Sequence, residues 1–156
     1  MVSSALSLAG LAVLGVSSVP VEQHFVSLAM ANALAESALA SCRAMNRDAV
    51  VAVVDRGGNL IALQRGDLVG PHNTRAAERK AFTALSTKTS TAVLAERAGN
   101  DPGSRNLVSV PELLLLGGGV PIVHEGEVIG GIGVAGSGGS ASDEACASAA
   151  LAAVRS

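Results

Sequence analysis

The first regular pattern along the chain follows Ser27. In LAMANALAESALASCRAM, Leu28, Ala31, Leu34, Ala35, Ala38, Leu39 and Cys42 recur at helical spacing. Ser27 is placed to cap that helix and Asn46 to end it, which predicts a helix over about 28–45. The period then changes. Ala49 to Asp55 (AVVAVVD) is a β-branched run of strand length, Arg56 to Asn59 (RGGN) carries turn residues, and Leu60 to Gln64 (LIALQ) reads as the returning strand, giving a hairpin over about 50–64. Gly70-Pro71 opens a second helix, with Pro71 at the first helical position, through HNTRAAERKAFTALS over about 71–86. A short third helix is expected at Ser90 to Ala98.

Further on, Gly99 to Leu107 reads as a loop by composition and Leu113 to Leu116 as a short strand. Val120 to His124, a turn at Glu125-Gly126-Glu127 and Val128 to Val134 make a second hairpin, over about 120–134. Its Gly130, Gly131 and Gly133 weaken a strand unless a helix, a neighbouring subunit or a flat ligand packs closely on them. A last Ala-rich helix is expected over about 141–154, capped by Ser140 or Ser142, with Asp143 and Glu144 in its first turn complementing the helix dipole. Two hairpins separated by helices predict the α+β class: an antiparallel β-sheet with α-helices packed on its faces, rather than a doubly wound parallel fold.

Composition narrows the function. The chain has 156 residues, enough for one domain, which is placed at 27–156 behind a leader or N-terminal arm at 1–26. Only 1% of residues are aromatic and the net charge is −2, which argues against stacking platforms for single strands and against a basic field for duplex, so no nucleic acid is expected as partner. An apolar share of 49% with 15% charged residues points instead to a homo-oligomer. Ala5 to Val16 (ALSLAGLAVLGV) has the character of a signal-peptide segment, with Val16, Ser17 and Ser18 as a cleavage site, although no N-terminal Lys or Arg precedes it. A packed arm or a start-site artefact is the other reading, and a stable membrane span is not expected. Cys42 and Cys146 have neither CxxC nor zinc spacing; they are buried small hydrophobes in a reducing compartment, or one bridge between the first and last helices if the chain is exported.

Of the three histidines, His24, His72 and His124, no pair has the HxxxH or HExxH spacing of a metal site. His72 begins a helix at a loop edge with Asn73, Thr74 and Arg75 around it, and its single imidazole suits an axial haem ligand. Lys80 stands among Ala77, Ala81 and Ala84 on the side expected to pack, where a lysine needs an anionic partner. Asp55, ending a buried-type strand, is assigned that part. The candidate site is thus a pocket at the start of the second helix: His72 as iron ligand, Asn73 and Arg75 at the rim, and Lys80 deeper, near Asp55 and the Gly117–Gly119 turn. Gly118 and Gly119 would permit close approach of a ligand. The plainer alternative makes Lys80 and Asp55 a buried structural ion pair. GGIGVAG lies in a strand rather than at a strand-to-helix turn, so it is not read as a dinucleotide loop, and no GxSxG element occurs.

VAVVDRGGNLIAL (Val51 to Leu63), KAFTA (Lys80 to Ala84), LGGGVPI (Leu116 to Ile122) and GEVIGGIGVAG (Gly126 to Gly136), followed by Asp143-Glu144-Ala145, resemble in order and spacing the GlcG/HbpS-like family. That family includes an extracellular haem-binding sensor component of actinobacteria and the C-terminal domain of PduO-type adenosyltransferases. The resemblance covers about Ser27 to the C-terminus. It implies an antiparallel sheet with helices on its faces, assembly into dimers up to octamers, and haem as cofactor in some members, without implying a settled reaction. Three departures stand out: Arg75 occupies a position usually acidic, Ala135 replaces the serine of GVSG, and the first helix lacks the histidine that ligates haem in PduO-type domains. A branch with Pro-His at the start of the second helix, cysteines in the first and last helices and a leader is most similar, which tilts localisation towards a periplasmic or secreted protein rather than a cytoplasmic one. The sequence is compatible with a haem-binding or haem-handling protein (sensor, scavenger or accessory), with a small-molecule enzyme or accessory protein of hydroxy-acid or carboxylate metabolism using Lys80 and His72 as acid–base groups, and with a ligand-free structural oligomer.

Overall fold

The computed structural model describes residues 19–154; the expected leader segment and its cleavage site lie outside them. The elements run α1 (Leu28–Ala44), β1 (Val50–Asp55), β2 (Leu60–Arg65), α2 (His72–Thr87), α3 (Thr91–Asn100), α4 (Pro102–Arg105), a 3₁₀ turn (Asn106–Ser109), β3 (Gly119–His124), β4 (Glu127–Ala135) and α5 (Ser140–Val154). The four strands form one antiparallel sheet in the order β2-β1-β4-β3, with helices packed on it, an α+β architecture. None of the described helices is long and apolar enough to cross a membrane.

Local signals account for most boundaries. Ser27 caps α1 by accepting from Met30 N, and Asn46 follows it in the left-handed conformation at φ 56°. Ser90 caps α3. Pro71 sits one residue earlier than expected, as the N-cap of a helix that begins at His72. Two expectations fail. The segment 99–107 is not a loop throughout, because Asp101 accepts from Gly103 N and Ser104 N and Pro102 has its φ preset, which together start α4. Leu113 to Leu116 is not a strand. Side chains of two helices satisfy its backbone instead: Leu114 N donates to Thr83 Oγ1, Leu113 O accepts from Arg79 and Leu116 O accepts from Thr91.

Strand alternation divides the core. Val51, Val53, Ile132 and Val134 face a layer made by α1 and α5, in one cluster with Ala31, Leu34, Ala35, Ala38, Ala147 and Ala150. Val50, Ala52 and Ala135 face the other way, with Ala77 of α2. Both faces of the sheet are therefore covered, which is why β1 reads as an unbroken apolar run rather than an alternating one. Gly131 and Gly133 of β4 face α2, whereas Gly130 faces the other way, against Val26 and Ile122. A Cβ at Gly131 would lie 2.2 Å from Ala81 O, and one at Gly133 would lie 2.1 Å from Ala77 O. Helix backbone, not a ligand, occupies the space they leave. Gly133→Ala is accordingly expected to lower stability by about 1–3 kcal/mol, because the obstacle is main chain that no rotamer change can move aside. A urea midpoint equal to the parent's would show that α2 can lift off the sheet at no cost.

Candidate functional site

α2 presents two chemically different faces. Ala77, Lys80, Ala81 and Ala84 are buried, and Lys80 is 1% exposed. Its ammonium donates to Asp143 Oδ2 at 2.7 Å and to Val134 O at 3.0 Å. Asp143 in turn accepts from Ser137 N and Ser137 Oγ on its other oxygen. The anionic partner of Lys80 is thus Asp143 and not Asp55. The sheet register gives the reason: Val134, beside Lys80, pairs with Val51, four residues along β1 from Asp55, a distance of about 13 Å at the rise of a strand.

Asp55 has a different task. Its carboxylate accepts from Gly57 N at 2.8 Å, Asn59 N at 2.9 Å and the Asn59 side chain, closing the β1–β2 turn. Desolvation pushes its carboxyl upward, but the hydrogen bonds from Asn59, Gly57 and Gly58 outweigh it and hold it below the ordinary carboxylate range. Gly118 and Gly119 serve the Lys80 node rather than an open pocket. Gly118 N donates to Glu144 Oε2 and Gly119 N to Thr91 Oγ1. A Cβ at Gly118, where φ is 119°, would lie 2.7 Å from Asp143 Cβ and 3.0 Å from Lys80 Nζ. Here KAFTA, LGGGV, GVAG and Asp143-Glu144 meet, so these boxes bind three helices to the end of the sheet.

The outer face of α2 is the accessible one. His72, Arg75, Arg79 and Phe82 fall on one side of the helix at spacings of three, four and three residues. Arg75, Glu78, Arg79 and Phe82 line a cleft of about 420 Å³, closed by Val54, Gly58 and Leu60 from the sheet and by Pro111 and Glu112 from the loop before β3. Arg79 donates to Leu113 O at 2.6 Å, while its Nε is buried without a hydrogen-bond partner. Of the residues singled out in the sequence, only Arg75 lines this cleft. His72 is exposed one turn beyond Arg75, its ring over Gly70, where a Cβ would lie 3.3 Å from His72 Cε1. Asn73 donates its side-chain amide to Gly70 O. The expected site is therefore divided: Arg75 lines the cleft beside Val54 and Gly58, His72 is exposed one turn away on the same helix face, and Asn73 packs by Gly70 and Gly136 on the Ala77–Lys80 stripe.

Arg79 and Phe82 of this cleft are not among the candidate residues read from the sequence. The spacing from His72 to Phe82 was the available signal. At the far side of the fold, Cys42 of α1 and Cys146 of α5 are joined as a disulfide with Cα atoms 5.4 Å apart.

The groups present fit a flat, dianionic, largely apolar ligand such as haem. Phe82, Val54 and Leu60 offer apolar contact, the guanidiniums of Arg75 and Arg79 offer positive charge to carboxylates, and His72 supplies an imidazole on the same helix face. Glu78 and Glu112 balance the two guanidiniums, so the cleft has no net positive charge.

Residues 26–152 match the family described as haem degrading protein HbpS-like. Protein GlcG of Escherichia coli strain K12 is 36% identical over 109 residues, which are 70% of this chain and 80% of that protein. Among solved structures, a double mutant of HbpS from Streptomyces reticuli superposes with a TM-score of 0.82 at 35% identity, covering 93% of this chain and 97% of that one. A PduOC:heme complex superposes with a TM-score of 0.74 at 26% identity, covering 81% of this chain and 93% of that one.

Proposed function

The chain belongs to the HbpS-like family, and from that premise we propose that it is a haem-binding or haem-handling protein that takes haem on the outer face of α2. The observation that carries this reading is the cleft beside α2, where apolar surface from Phe82, Val54 and Leu60 adjoins the guanidiniums of Arg75 and Arg79. His72 would hold the iron, Arg75 and Arg79 the propionates, and Asn73 would keep the start of the helix closed against Gly70. When bound, the group would supply a redox-active iron and an absorbing macrocycle suited to sensing or scavenging. Self-association belongs to the same proposal: Leu68, just past the edge strand β2 and away from the cleft lining, is 94% exposed, and a second copy is a natural cover for such apolar surface. Export to an oxidising compartment is supported by the Cys42–Cys146 bridge. The enzyme reading with Lys80 and His72 as an acid–base pair has no geometric support, since Lys80 is buried in an ion pair and His72 is exposed at the end of α2.

Hemin titration followed by absorbance tests the proposal. A Soret band is expected for the parent and its loss for His72→Ala, with Arg75→Ala binding about tenfold more weakly, the scale of one charge-assisted hydrogen bond. Hemin binding by His72→Ala that matches the parent would show that another group ligates the iron, and no Soret change in the parent would end the haem reading.

A further inference from the structure

We propose that the tip of the β3–β4 hairpin and the segment preceding α1 form a binding site for one divalent transition-metal cation, held by His24, His124 and Glu125. One ligand atom from each of these residues lies within 4.8 Å of the other two. The two imidazoles meet edge to face, with ring centroids 5.0 Å apart and planes at 70°. Both histidines lie far apart in the sequence, so no spacing motif announces the pair.

Backbone geometry assembles the cluster. β3 ends at His124, and the next two residues, Glu125 and Gly126, both have positive φ, at 48° and 82°. Such a pair makes a two-residue reversal, which sets His124 opposite Glu127 and presents Glu125 at the tip. From the other side, Val26 is the one buried residue of the segment 19–27. Its Cγ2 lies 2.7 Å from where a Cβ of Gly130 would be, so this glycine lets the segment dock on β4, and His24 stands two residues earlier. The site thus spans two parts of the chain that a cation would tie together.

A supporting carboxylate is also in place. Glu127 Oε2 lies 3.7 Å from His24 Nδ1 and 3.1 Å from Arg56 Nη1. A carboxylate beside a ligating imidazole fixes the ring and raises its basicity, and Arg56 holds that carboxylate in position. Two imidazoles and one carboxylate suit zinc and its neighbours; magnesium and calcium favour oxygen shells. Two ligands on a tetrahedral zinc are roughly 3.4 Å apart for bonds of about 2.0–2.1 Å. Closing from the observed spread takes only rotation of exposed side chains. With three protein ligands, a fourth position stays open to water.

The test is calorimetric titration of the chelator-treated full chain with zinc sulfate, paired with limited proteolysis of the segment 19–27. One zinc per chain is expected, with protection of that segment. His24→Ala and His124→Ala should each weaken binding about tenfold or more and remove the protection, while Glu125→Gln, which keeps the turn, should weaken binding alone. His72→Ala should bind zinc like the parent, which keeps this result separate from that of the hemin experiment. Metal-free melting of each variant checks that the fold is intact. Parent-like zinc binding by the His24→Ala/His124→Ala double variant, or no zinc uptake by the parent, overturns the proposal.

Discussion

Lys80→Met is expected to lower the stability of the fold by about 3–5 kcal/mol, the cost of leaving one charge of a buried pair without its partner. The orphaned group would be Asp143, whose side chain is 6% exposed and whose Oδ2 would lose its charged donor, Lys80. Val134 O would lose a donor in the same step. Asp143→Asn should cost a comparable amount, because it leaves the ammonium buried opposite a neutral amide. Replacing both residues, as in Lys80→Met with Asp143→Asn, should cost much less than the two single changes together, since it removes both buried charges at once. Urea midpoints for the four proteins decide the matter. Single and double effects that simply add would mean that the two groups stabilise the fold independently, and the ion pair would then not be the cause.

Breaking the Cys42–Cys146 bridge is the second large effect. The cysteines are separated by 104 residues, and closing a loop of that order removes about 4.7 kcal/mol of conformational freedom from the unfolded chain in the chain-entropy picture. Cys42→Ser with Cys146→Ser should therefore lose about 2–5 kcal/mol, and the oxidised parent should show no free thiol and a higher urea midpoint than the reduced parent. Both positions are fully buried between α1 and α5, so the serine pair also places two hydroxyls in an alanine-rich interface. A Cys42→Ala/Cys146→Val pair separates the two contributions, as it lacks both bridge and hydroxyls. Equal midpoints for reduced and oxidised parent would show that the bridge contributes nothing to stability.

Neither effect bears on the cleft, and that separation is informative. Three of the sequence boxes that carry the family resemblance, with Asp143-Glu144, converge on the node of Lys80, Gly118, Gly119, Val134, Asp143 and Glu144, where they hold α2, α5 and the sheet end together, while Val54, Gly58 and Leu60 of the first box and Phe82 of KAFTA line the cleft. The ligand-facing residues proposed for α2, by contrast, lie outside that node, and Arg75 is a position where the chain departs from the family pattern.

The sequence by itself determined the order of helices and hairpins, because helical and strand periods, caps and turn residues act within a few neighbours of one another. Ser27, Ser90 and the Glu125-Gly126 turn are such cases. It also showed that Lys80 needs an anion and that the β4 glycines need a close neighbour, since both follow from the cost of burying a charge and from the room a missing Cβ leaves. Only the tertiary structure decided which neighbour. Antiparallel register sets Lys80 beside Val134 and away from Asp55, and the docking of α5 brings Asp143 to it. The same long-range geometry lays α2 backbone on Gly131 and Gly133, turns Arg79 and Phe82 into the wall of a cleft, and brings His24 to His124. Contacts of this kind depend on how strands align and helices dock, and no periodicity within a segment encodes them.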